Sequence, residues 1–156
     1  MEKIAVYAGS FCPFTKGHEV IVRKALPLFD KIIIAIGHNP DKADTFPVEQ
    51  RIQWIQQIYA GNPKVEVLAY TGLTVNLCTR KGATHLIRGV RNIQDFTNEQ
   101  ILGDVNRQLN PLIETVLFLS APETATTSSS LVRELWSLGE DYSQYLSYQL
   151  PDYQSK

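Results

Sequence analysis

The chain has 156 residues, a length that suits one domain with a core large enough to stand without disulfides or structural metals. A hydrophobic fraction of 44% with 20% charged residues describes a globular protein and argues against disorder. Lys and Arg number 15 against 16 Asp and Glu, a net charge of −1, which disfavours a surface built for nucleic acid or anionic lipid. Cys12 and Cys78 have no metal or redox spacing and read as two free thiols of a reducing compartment. No apolar run approaches the ~18 residues of a membrane span, and the first residues lack a signal-peptide pattern. A cytoplasmic location without a membrane partner is expected.

Residues 3–8 form a short apolar strand, followed by Gly9 and a loop holding Pro13 and Gly17. Residues 18–29 read as a helix with Ile21, Ala25 and Leu28 on one stripe and Pro27 near its end. Lys31–Gly37 is too short and too β-branched for a helix, and reads as a buried strand. A polar loop over 38–45 leads to Pro47, a first helical position, and to a stripe of Val48, Ile52, Ile55 and Tyr59. Residues 64–69 alternate like a strand covered on one face. A helix over 73–80 is ended by Gly82, and a strand over 84–87 runs into a glycine loop at Gly89. Residues 95–109 read as a helix with Leu102, Val105 and Leu109 inward. Glu114–Leu119 is a further strand, 120–127 a loop, and 129–138 a helix that Gly139 ends. Five strand–helix pairs joined by short loops predict an α/β fold: one Rossmann-like domain, a five-stranded parallel sheet with helices on both faces. Ligands of such sheets bind beyond the carboxyl ends of the strands, which directs attention to the loops after residues 8, 37, 69, 87 and 119.

The first of these loops delivers His18 to a helix start between Gly9 and Gly17, where free N–H groups attract anions. It is neither a P-loop nor a dinucleotide fingerprint. Alone, His18 reads equally as a capping side chain or a site residue. Lys42 follows the second strand. After the fourth, Arg88 and Arg91 flank Gly89; guanidinium forks match phosphate oxygens, and the alternative is surface pairing with Asp95 or Glu99. The run Thr126, Thr127, Ser128, Ser129, Ser130 is either an N-cap or an anion nest. Cations and hydroxyls gathered at one sheet edge of a neutral protein point to a ligand with several phosphates.

These residues carry a family resemblance. Thr15-Lys16-Gly17-His18 is similar to the T/H-x-G-H motif of nucleotidyltransferases, and Ser128-Ser129-Ser130-Leu131-Val132-Arg133 to their I-S-S-S/T-x-I/V-R motif. The segment Ile87-Arg88-Gly89-Val90-Arg91, followed by Asp95-Phe96 and Glu99, together with Lys42 and Asn106, resembles bacterial phosphopantetheine adenylyltransferase over about residues 3–135. The resemblance implies one nucleotidyltransferase domain over 1–156. It also implies transfer of the adenylyl group of ATP to 4′-phosphopantetheine, giving dephospho-coenzyme A and pyrophosphate in coenzyme A synthesis, by direct attack without a covalent intermediate.

Carried over by position, the resemblance makes His18 the transition-state stabiliser, with Lys42 and Arg88 catalytic beside it. Ser10, Lys42, Thr74, Arg88, Leu73, Leu102 and Asn106 would take phosphopantetheine, with Val105 and Glu134 nearby. Ser10, Phe11, His18, Gly89, Val90, Arg91 and Glu99, with Thr124, Ala125, Thr126, Thr127, Ser128, Ser129 and Ser130, would take ATP. Magnesium (Mg2+) would ride on the ATP phosphates rather than on a protein site. The family is hexameric, so a homohexamer without a nucleic-acid partner is implied. Cys12 stands where the family usually carries Asp, and Asn98 and Thr124 stand where it usually carries aromatics. Two other readings are a nucleotidyltransferase for another acceptor, such as nicotinate mononucleotide, and a catalytically impaired nucleotide-binding paralogue.

Overall fold

A computed structural model describes residues 1–154. In chain order it contains β1 (Ile4–Gly9), α1 (Lys16–Ala25), β2 (Lys31–Gly37), α2 (Val48–Ile58), β3 (Val65–Tyr70), α3 (Thr74–Lys81), β4 (His85–Val90), α4 (Ile93–Leu109), β5 (Glu114–Leu119) and α5 (Ser129–Ser137). The strands form one five-stranded parallel sheet in the order β3-β2-β1-β4-β5, as the alternation of elements predicts. Period-2 alternation sends Ala5, Tyr7, Ile32, Ile34 and Ile36 to one face, where Ile21, Val22 and Ile55 cover them. Val6, Ala8, Ile33, Ala35 and Leu86 go to the other, against Leu77 and Cys78 of α3. Cys12 and Cys78 are both free and buried.

The sheet reverses its winding between β1 and β4. Only Ala5–Tyr7 pair with His85–Ile87 there, whereas β1 pairs with β2 along its whole length from Ile4 to Gly9. Beyond Tyr7 and Ile87 the two strands part, and that crevice is the switch point where α/β sheets bind ligands.

Several elements differ from their predicted form. The helix expected over 18–29 begins earlier, at Lys16 behind the N-cap Thr15, and Pro27 tightens its end into a 3-10 turn, Leu26–Leu28. The strand expected over 84–87 continues to Val90 because β5 pairs with it through Leu119, so Arg88 and Gly89 are strand residues rather than loop. α4 begins at Ile93, with the Asn92 side chain accepting from the N–H of Asp95. Its stripe is not inward: Leu102, Val105 and Leu109 are 42%, 44% and 53% exposed, because no further layer among the described residues covers that face.

Residues 140–151, after α5, fold back over the molecule. Leu146 and Leu150 pack with Cys12, Phe46, Trp54 and Val132, and Tyr148 stacks on Trp54 with centroids 5.1 Å apart.

Candidate active site

The crevice between β1 and β4 opens into a cavity of about 420 Å³, walled by Tyr7 to Phe11, His18, Arg88 to Arg91, Asp95, Glu99, Thr127 to Ser130 and Arg133. Two close approaches shape it. A Cβ on Gly89 would stand 2.9 Å from Cγ1 of Ile21, and one on Gly9 would stand 3.0 Å from the Phe11 ring. Glycine at both positions lets α1 and the Phe11 ring sit against the strand ends. Phe11 adopts φ 45°, a left-handed conformation that costs a non-glycine residue energy and turns the chain sharply out of β1.

His18 enters through a capping box. The backbone N–H of Thr15 donates to Nδ1 of His18 at 2.8 Å, so a neutral ring carries its proton on Nε2. The cap reading of His18 therefore holds, and the same ring lines the cavity. The ring stacks on Phe14 with centroids 5.1 Å apart and meets Phe11 edge-on at 5.0 Å. Burial, then the charges of Arg88 and Arg91, lower its pKa to about 3. At neutral pH His18 is an uncharged N–H donor.

For the arginines the pairing with Glu99 and Asp95 is realised, and it sits on the cavity wall. Nε and Nη2 of Arg88 donate to the two carboxylate oxygens of Glu99, each at 2.7 Å, and Nη1 donates to the carbonyl of Ala8 at 2.6 Å. Nε of Arg91 donates to Asp95 at 3.0 Å and its Nη1 to the carbonyl of Thr127 at 3.0 Å. Burial alone would raise the Asp95 carboxyl; the bonds from Arg91 outweigh it and hold it below its usual range. Arg133 adds a third guanidinium, donating to the carbonyl of Cys12 at 2.7 Å and to Ser130 at 3.2 Å. Ser128 caps α5 by accepting from the N–H of Leu131 at 3.1 Å, and Ser129 donates to the carbonyl of Pro13 at 2.7 Å. Three guanidiniums face two carboxylates, which leaves the cavity wall cationic inside a protein of net charge −1.

A second cavity, narrow at about 40 Å³, lies on the other side of Arg88 and Glu99 and is lined also by Ala8, Thr74, Leu86 and Thr115. Glu99, Leu102, Gly103 and Asn106 enter it from α4 at i, i+3, i+4 and i+7, one face of a helix. Thr74 shares a hydrogen bond of 2.7 Å with the Tyr70 hydroxyl.

A cytidylyltransferase-like family model matches residues 6–135. A phosphopantetheine adenylyltransferase of Porphyromonas gingivalis is 46% identical over 145 residues, 93% of this chain and 94% of that protein. The chain belongs to the phosphopantetheine adenylyltransferase family. A further relative of that name, from Cytophaga hutchinsonii, is 44% identical over 150 residues, 96% of this chain and 100% of its own. Among solved structures, the bifunctional NMN adenylyltransferase/ADP ribose pyrophosphatase of Francisella tularensis superposes with a TM-score of 0.70 at 20% identity. It covers 94% of this chain and 45% of that one, a likeness of fold.

Of the positions singled out by the family resemblance, Ser10, Phe11, His18, Gly89, Val90, Arg91, Glu99, Thr124, Thr127, Ser128, Ser129 and Ser130 line the larger cavity. Thr74, Leu102 and Asn106 line the smaller, and Arg88 and Glu99 line both. Leu73 precedes Thr74 as the N-cap of α3 and is 51% exposed. Lys42 stands exposed on the 38–47 loop at the same sheet edge, and Ala125, Thr126, Val105 and Glu134 are exposed; none of these lines either cavity.

Three supporting residues escape sequence reasoning. Tyr7 forms the buried floor beside His18, on a strand where it reads as ordinary core. Arg133 belongs to the quoted motif, yet its reach to Cys12 crosses 121 residues of chain. Arg51 is 1% exposed and donates to the carbonyl of Ser10 at 2.5 Å and to Asp44 at 2.7 Å, holding the first loop from below. On a helix of mixed polarity, Arg51 gives no sign in the sequence of being buried.

Proposed function

We propose that the chain transfers the adenylyl group of ATP to 4′-phosphopantetheine, releasing pyrophosphate and leaving dephospho-coenzyme A. The observation that carries this reading is the pair of cavities meeting at Arg88 and Glu99. The larger, cationic and hydroxyl-lined, suits a nucleoside triphosphate. The smaller, narrow and lined by Leu86, Leu102 and Asn106 without an aromatic side chain, suits a thin amide-bearing arm rather than a stacked pyridine ring.

The acceptor phosphate carries about −1.5 to −2 charges near neutral pH and is already a nucleophile. One of its oxygens forms a bond to the α-phosphorus of ATP as the bond to the β-phosphate oxygen breaks, and the electron pair leaves with pyrophosphate. No proton has to be removed and no enzyme nucleophile is used. The work left to the protein is to hold two anions in line and to meet the charge on the pentacoordinate phosphorus. His18 Nε2–H is the donor for the α-phosphate oxygens, Arg91 and the N-terminus of α5 follow the polyphosphate, and Arg88 meets the acceptor phosphate from the boundary between cavities. Lys42 reaches the attacking phosphate from its loop once both substrates are seated.

Magnesium fits as the companion of ATP. The cavity carboxylates Asp95 and Glu99 are each bound to a guanidinium, and no cluster of three or more His, Cys, Asp or Glu forms among the described residues. An ion there would take its ligands from phosphate oxygens, water and hydroxyls such as Ser10, and would supply charge neutralisation on the leaving group. The two free thiols agree with a cytoplasmic setting; no described helix is long and apolar enough to cross a membrane. A homohexamer is supported by the apolar side chains that α4 and β5 leave open.

The test is pyrophosphate release with ATP and magnesium, comparing phosphopantetheine with nicotinate mononucleotide. Turnover with the former alone is expected. Turnover with the latter alone would reassign the acceptor, and none with either would indicate a paralogue without chemistry.

A further inference from the structure

Arg88 is the side chain through which both cavities touch a cation, and its partner is unusual for an anion site. A guanidinium has five N–H groups. Glu99 takes one from Nε and one from Nη2, and the Ala8 carbonyl takes one from Nη1. One N–H on each terminal nitrogen is left to meet a ligand. The plane of the guanidinium is fixed from two sides, by α4 through Glu99 and by the end of β1 through Ala8. The Glu99 side chain is only 12% exposed and that of Arg88 30%, so the carboxylate is the shielded partner and is poorly screened by water.

A free Glu99 carboxylate at the junction of two phosphate-bearing substrates would repel both. Its presence there is intelligible only if Arg88 covers it. Resting on the proposed adenylyl transfer, we propose that Glu99 is a positioning residue for the acceptor phosphate, acting through Arg88: it fixes the guanidinium plane so that the two remaining N–H groups present one orientation to the incoming oxygen. This goes beyond a place in the nucleotide pocket, because it ties Glu99 to the acceptor side of the reaction. The arrangement has a second consequence. Glu99 cancels the charge of Arg88 in the empty site, so recognition there depends on the direction of hydrogen bonds more than on bare attraction.

Replacing Glu99 with Gln keeps the shape and removes the charge. An amide can offer one oxygen to the guanidinium, but its N–H groups face donors, so the two-point clamp is lost. Arg88 becomes a mobile, uncompensated cation. It attracts the acceptor phosphate at least as strongly and holds it less well in line, which lowers kcat rather than raising KM.

The experiment is a double-mutant cycle on the full chain with ATP, magnesium and phosphopantetheine, using Glu99→Gln, Arg88→Ala and the pair. Glu99→Gln is expected to lower kcat about tenfold or more, with the KM for phosphopantetheine unchanged or lower and the KM for ATP within about threefold. Arg88→Ala strands the Glu99 carboxylate beside the acceptor, and its KM for phosphopantetheine should rise at least about tenfold. Adding Glu99→Gln to that variant should then bring the KM for phosphopantetheine back down without the roughly tenfold loss of kcat that it causes when Arg88 is present, a dependence on background that action through Arg88 produces. Glu99→Asp, which keeps the charge, should retain more kcat than Glu99→Gln. The inference is overturned if Glu99→Gln costs the same factor with and without Arg88, or if its loss falls on the KM for ATP. Absence of turnover by the unaltered protein would instead remove the functional reading itself.

Discussion

At His18 three influences push the same way: burial of the ring among Phe11 and Phe14, and the guanidiniums of Arg88 and Arg91, all disfavour the imidazolium and take the pKa to about 3. The Thr15 N–H then fixes which nitrogen bears the proton. Such a group donates a hydrogen bond without a protonation step, and bound phosphates, bringing negative charge, would raise its proton affinity as the transition state forms. The same shift bears on stability. Between about pH 6.5, where an unfolded histidine takes up its proton, and about pH 3, where the folded one does, the unfolded state binds more protons. Stability contributed by the neutral ring is complete above that window and is lost as pH falls through it. Chemical denaturation from pH 7 to pH 4 should therefore show a steeper acid loss for the unaltered chain than for His18→Gln. Equal slopes would mean that the ring is accessible to protons in the folded state.

Among elements, the segment after α5 holds the 10–16 loop and the first turns of α1. The Tyr148 hydroxyl donates to the carbonyl of Phe14, the N–H of Lys16 donates to the carbonyl of Tyr145 at 2.8 Å, and Ser147 donates to Glu19 at 2.6 Å. These bonds fix the start of α1 and with it the capping box of His18. Tyr148→Phe leaves the Phe14 carbonyl without that donor, and should cost about 1–3 kcal/mol of unfolding free energy and lower kcat several-fold, read from denaturant curves and steady-state rates. An unchanged kcat would show that the loop keeps its form without the strap. The strands, most helices and the edge of the sheet that holds the cavities were legible in the sequence, because apolar runs, prolines and glycines act locally. Leu102, Val105 and Leu109 were misplaced because a helical stripe shows that one face is apolar, not what covers it. The contacts of Arg51, Arg133 and the 140–151 strap were invisible for a related reason: they run across 41, 121 and more than 100 residues of chain. The motif positions lining the two cavities came from resemblance. Spacing alone left His18 and the arginines between a structural role and a site; the structure shows the cap and the ion pairs and sets all three side chains on the cavity wall.

On the scale of the whole molecule, the surface is uneven. Ile93, Phe96, Ile101, Leu102, Val105, Leu109, Leu112 and Leu119 are each 42% to 84% exposed, and all but Leu112 and Leu119 belong to α4. An apolar face of that kind marks an interface, and a homohexamer would bury it. Light scattering on the purified chain should give a mass about six times the monomer under the proposed assembly. Ile101→Glu with Leu112→Glu should shift it to smaller species, and a monomeric unaltered chain would refute the assembly. Because α4 also carries Glu99 and Asn106, loosening that face should weaken the smaller cavity as well. The neutral overall charge acquires a structural meaning: acids elsewhere balance a crevice where three guanidiniums meet two carboxylates. The central claim is that this crevice accelerates adenylyl transfer by charge stabilisation from His18. Its most direct test is steady-state pyrophosphate release with ATP, magnesium and phosphopantetheine for the unaltered chain and His18→Ala. The account predicts turnover by the former and a loss of about 10²–10³ in kcat for the latter, with the KM for ATP within a few-fold; a loss confined to KM, or no turnover by the unaltered chain, would contradict it.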